Sequence, residues 1–138
     1  MTKIQFFFNV TNRFRLLQNI INQRLKQKKR TLVFCSDVIG LNKLTEEIWG
    51  DELIFMPHLL NDSDGLHLIS LSNNKIDYMD DTIINYSNVL INGFNRYLKL
   101  IEIVSTDNYE KEQARVRYKF FKDCGYDIEH IDVNKISY

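Results

Sequence analysis

The sequence predicts an α/β fold of three layers: a mostly parallel central sheet with helices on both faces. Three observations carry that expectation. The short segments 4–8 and 31–35 hold unbroken apolar runs (Phe6, Phe7 and Phe8; Leu32, Val33 and Phe34), as strands covered on both sides do. Between and after them lie segments whose apolar residues recur at helical spacing. The connections are short, and strand–helix–strand–helix order with short connections favours parallel pairing.

The elements follow in chain order. Residues 4–8 form a central strand. Thr11 or Asn12 caps a helix running to about residue 28, with Phe14, Leu17, Ile20, Ile21 and Leu25 inward. Its tail, Arg24, Lys26, Lys28, Lys29 and Arg30, is the densest basic cluster of the chain, and cations there complement the helix dipole. Residues 31–35 form a second strand. Ser36 or Asp37 caps a helix with Leu41, Leu44 and Ile48 inward. Residues 53–56 form a strand stopped by Pro57, and residues 66–71 alternate as a further one. Residues 72–87 read as a loop or irregular insertion, residues 89–91 as a brief strand, and residues 94–98 as a short helix.

Residues 101–104 form the next strand. It leads to an amphipathic helix capped by Asp107 or Asn108, with Glu110 and Glu112 where the dipole favours anions and Gly125 after the last turn. Residues 129–132 form the last strand. Placed at 100° steps, Tyr109, Val116 and Phe120 fall on one flank of the helix and Ala114, Tyr118 and Phe121 on the other. Lys111, Arg115, Lys119 and Lys122 make a contiguous basic stripe with Tyr118 at its border. Arg117 falls inside the apolar arc: either its stem packs there and its guanidinium reaches an acid such as Glu102, or the helix is rotated. The stripe serves either as a solvated face or as a site for a short acidic peptide with a hydrophobic end.

Composition bounds the function. The 138 residues make one domain, 1–138, able to bury a core without staples. Lys+Arg and Asp+Glu number 18 each, a balance that disfavours direct nucleic acid binding. The N-terminal apolar run is too short for a signal segment or a membrane span, so a cytoplasmic protein with no membrane association is expected. Two cysteines, Cys35 and Cys124, fit a reducing compartment.

Catalytic and cofactor constellations are missing. Neither G-x-G-x-x-G nor G-x-x-x-x-G-K-[ST] occurs, and the first βα turn, residues 9–12, has no glycine. His58, His67 and His130 share no metal spacing, and Asp62, Asp64 and Gly65 lack the rest of a calcium loop. No catalytic residue, cofactor or metal is expected. The alternative is a small cytosolic α/β enzyme or nucleotide-binding domain with a site near Cys35, which ends a strand before a helix, or near Asp80 and Asp81. A buried structural thiol is the favoured reading of Cys35.

Four pieces occur in a telling order: Thr31-Leu-Val-Phe-Cys-Ser-Asp with Trp49 downstream, Phe55-Met56-Pro57-His58, Val89-Leu90-Ile91-Asn92, and Ile101-Glu-Ile-Val104 followed by Ala114-Arg-Val-Arg-Tyr-Lys-Phe-Phe and Gly125-Tyr126. Together they resemble the chi subunit of bacterial DNA polymerase III across nearly the whole chain, residues 72–87 excepted. The resemblance implies a Rossmann-like, non-enzymatic accessory of the clamp loader. It implies two partners: the psi subunit, and the acidic, phenylalanine-ending tail of single-stranded DNA-binding protein. It places the tail site on Arg115, Tyr118 and Lys119, with Lys111 and Val104 in support, and so favours the peptide site over the solvated face. It places Trp49, Phe55 and Met56 on the psi-facing surface, although Trp49 packed into the core is an equal alternative.

Overall fold

The computed structural model describes residues 1–27, 31–35, 59–60, 69–72 and 81–135. Within them lie seven strands: β1 (Lys3–Val10), β2 (Thr31–Phe34), β3 (Leu59–Leu60), β4 (Ile69–Ser72), β5 (Thr82–Asn85), β6 (Lys99–Ser105) and β7 (Ile128–Asp132). They form one sheet in the order β3-β4-β2-β5-β6-β1-β7, and every pairing is parallel. The described helices are α1 (Arg13–Lys26) and α2 (Asn108–Asp123), with a 3₁₀ turn over Phe94–Arg96. The α/β class read from the sequence therefore holds, and the sheet is Rossmann-like.

Side chains of successive strand residues point to opposite faces, and the core divides accordingly. Val33, Ile84, Ile101 and Ile103 pack with Leu16, Leu17, Ile20 and Ile21 of α1. Their neighbours Leu32, Ile83, Leu100 and Val104 pack with Ala114 and Phe121 of α2. Strand β1 contributes Ile4 and Phe6 to the second cluster and Val10 to the first.

That change of face in β1 has a local cause. Phe7 pairs with Ile103 but Val10 pairs with Ser105, so β1 holds one residue more than β6 over the interval. Asn9 absorbs it at φ 61°, a conformation asparagine tolerates better than most side chains. Its amide donates to Asp132 on β7 at 3.1 Å.

Several sequence expectations change. Residues 82–85, read as part of a loop, are β5, buried throughout between β2 and β6. The strand is four residues long, and Asp81 before it and Asn85 at its end hide it. Those polar groups are instead bonded inside. Arg24 donates to Asp81 at 2.5 Å and to Thr31 at 3.2 Å, so this member of the basic cluster serves the fold. Asn85 donates to the carbonyl of Val89 at 2.8 Å. Residues 89–91 are not a strand: Val89 and Leu90 are exposed in a bend beyond β5. The 3₁₀ turn at Phe94–Arg96 replaces the longer helix expected over 94–98. The helix expected after Ser36, the strand at 53–56, and Trp49, Phe55 and Met56 lie outside the described residues.

Candidate functional site: a basic hollow at the ends of β1 and β6

Helix α2 is fixed at both ends by its own sequence. Asp107 caps the start by accepting from the Glu110 amide at 3.1 Å, and Ser105 bonds both the Asp107 amide and the Glu110 carboxylate. At the other end Gly125 takes φ 83°, the Tyr126 amide reaches the Phe121 carbonyl at 3.1 Å, and that of Gly125 reaches Lys122 at 3.0 Å. Tyr126 packs on Phe121 and Phe94, the apolar contact that accompanies this kind of termination.

The rotation of α2 is set by a buried ion pair. Arg117 Nε donates to Glu102 Oε2 at 2.6 Å, and both side chains are almost wholly buried. The guanidinium thus reaches Glu102 from within the apolar arc, as one of the two alternatives had it. Ala114, Arg117 and Phe121 form the inward line of the helix, and Tyr118 flanks it. The other flank is corrected: Tyr109, Val116 and Phe120 are exposed, Val116 by 67%. Burial pushes the Glu102 carboxyl up to about 7, against the opposing pull of the Arg117 charge and the hydrogen bonds of Arg117 and Asn85. Glu102 Oε1 and Arg117 Nη1 have no hydrogen-bond partner among the described residues, consistent with burial outweighing the pairing.

With α2 so placed, its stripe borders a hollow of about 330 Å³. Phe6, Phe8 and Asn9 of β1, Val104 and Ser105 of β6, Lys111, Ala114, Arg115 and Tyr118 of α2, and His130 of β7 line it. The wall is aromatic. Tyr118 stands edge-on to Phe6 at 5.8 Å between ring centres and leans on His130 at 5.1 Å, which in turn meets Phe8 at 6.5 Å. Arg115 is open to solvent, held loosely by Glu112 of its own helix at 2.5 Å. Such an exposed pair contributes little and leaves the guanidinium available to a better acceptor.

The hollow lies at the carboxyl ends of β1 and β6. These neighbours send their chains across one another, β1 past β6 toward β2 and β6 past β1 toward β7. The gap between the two helix starts is bridged by Arg13, which reaches Glu110 at 3.2 Å and lies over the Tyr86 ring at 4.3 Å.

Of the expected tail-binding residues, Lys111, Arg115, Tyr118 and Val104 line one hollow, while Lys119 is exposed but does not line it. Phe6, Phe8, Asn9 and His130 went unforeseen. The position of β1 beside β6 was the missing information, since the lining residues of β1 are about a hundred positions away from α2. Cys35 is buried and apart from the hollow. Among the described residues no group of three His, Cys, Asp or Glu side chains could hold a metal ion, and no helix is long and apolar enough to cross a membrane.

A family model described as "DNA polymerase III chi subunit, HolC" matches residues 1–129. The comparison with curated proteins found no match.

Proposed function

The chain belongs to the DNA polymerase III chi subunit family, a replication accessory of the DNA polymerase III assembly, and from that premise we propose that it links the clamp loader to single-stranded DNA-binding protein. It does so without catalysis, by taking the acidic C-terminal tail of that protein into the hollow between α2 and the ends of β1 and β6.

One observation carries the reading: a guanidinium, an ammonium and a phenol border a recess floored by Phe6, Phe8, Val104 and Ala114. A peptide ending in an aromatic residue would bury its ring on that floor. Its terminal carboxylate would lie in the fork of Arg115, and preceding acids would meet Lys111 and, one turn along the rim, Lys119. The psi subunit is the proposed second partner, through Trp49, Phe55 and Met56.

Calorimetry of the full chain against an acidic peptide ending in phenylalanine tests the tail site. Micromolar-range binding that is largely lost in Arg115→Ala supports it, and equal affinity in both proteins removes Arg115 from the site.

A further inference from the structure

We propose that His130 is a binding residue of this hollow and that, through it, capture of a peptide carboxylate takes up a proton. The inference rests on the tail-site reading and adds to it a residue on a different element from the basic stripe.

His130 lies on β7, in register with Phe6 of β1. On that face of β7, Ile128 packs in the α2-side core and His130 reaches the hollow. Its ring is held on two sides, by Tyr118 from α2 and Phe8 from β1, while the residue itself stays exposed. A histidine so placed is fixed as a wall of the site yet free to exchange protons. Imidazole is the side chain whose charge ordinarily changes near neutral pH.

The charged groups around it give the sign. From α2 the hollow is bordered by Lys111 and Arg115, both cations, and by the Tyr118 phenol. From β6 come Val104 and Ser105 and from β1 Phe6, Phe8 and Asn9, none of them charged. On β7 itself, Glu129 points to the other face and accepts from Gln5 at 2.8 Å, while Asp132, on the same face as His130, is the one carboxylate there and accepts from Asn9. A carboxylate bound beside the ring favours the imidazolium. Binding therefore strengthens as pH falls across the histidine range. Glu102 also titrates near neutrality, but it is wholly buried behind Arg117 and does not line the hollow, so its effect persists when His130 is replaced.

The test is calorimetry of the full chain with an acidic phenylalanine-ending peptide at pH 6 and pH 8, in buffers of different ionisation enthalpy. Wild type should bind about fivefold more tightly at pH 6, with measurable proton uptake, from a bound carboxylate favouring the imidazolium by roughly one pH unit. His130→Gln, which keeps a polar side chain without the charge change, should bind with little pH dependence and no such uptake. Equal pH dependence in the two proteins, or none in wild type, overturns this inference alone. No binding at either pH overturns the tail site and this inference with it.

Discussion

Arg117 and Glu102 meet at 2.6 Å in the interior between α2 and β6, one residue before Tyr118 and two before Val104. The position of the basic stripe follows from this contact, because it fixes which line of α2 faces the sheet. Removing one partner leaves the other buried without its hydrogen bond and counter-charge. Arg117→Met should therefore lower stability by about 3–5 kcal/mol, whereas the double change Arg117→Met with Glu102→Leu should cost less than either single change. Urea unfolding of the four proteins measures this.

The same carboxyl gives a pH signature. Its folded value of about 7 lies above the ordinary 4.5, so the folded state holds the proton more tightly. Its contribution to stability is fully present below pH 4.5 and is lost as pH rises to about 7. The difference in unfolding free energy between wild type and Glu102→Gln should shift with that sign across the window and level off outside it. A flat difference would mean that the carboxyl is not raised.

The exposed flank of α2 yields the opposite expectation. Val116 is largely exposed, so Val116→Lys should change the unfolding free energy by no more than about 0.5 kcal/mol. Phe121→Ala, one position from Phe120 but fully buried, should cost about 3–5 kcal/mol. Thermal or urea denaturation of the two variants decides whether the helix is rotated as described.

Asn9 combines a left-handed backbone with a hydrogen bond to Asp132. Asn9→Ala keeps neither advantage and should lose about 1–2 kcal/mol, while Asn9→Gly recovers the backbone part. If the hollow captures the tail, Asn9→Ala should also weaken peptide binding, since the bulge aims Phe8 into the recess.

Binding itself should weaken as salt rises, because Arg115 and Lys119 are open to solvent. Tyr118→Ala should reduce affinity at every salt concentration, since the ring supplies contact area rather than charge. Titration at two ionic strengths separates the contributions.

Much of this was legible before folding. The unbroken apolar runs of β1 and β2 announced a covered parallel sheet, and caps at Asp107 and Gly125 fixed α2 nearly to the residue. The stripe of Lys111, Arg115, Lys119 and Lys122, with Tyr118 at its border, emerged from angular spacing alone, although Lys119 and Lys122 do not line the hollow. Strand β5 did not, because Asp81 and Asn85 look like loop residues until their partners, Arg24 and Val89, are known to be near. Arg117 left two readings open, a reach to an acid such as Glu102 or a rotated helix, and the contact with Glu102 decides for the first. Phe8 and His130 were hidden because strand order, not periodicity, brings β1 and β7 to α2.

That strand order has a consequence for biosynthesis. β1 lies between β6 and β7, so the recess is assembled from the first ten residues and the last quarter of the polypeptide. About a hundred residues must be synthesised after β1 before β6, α2 and β7 can join it, and until then the phenylalanines of β1 wait without their neighbours.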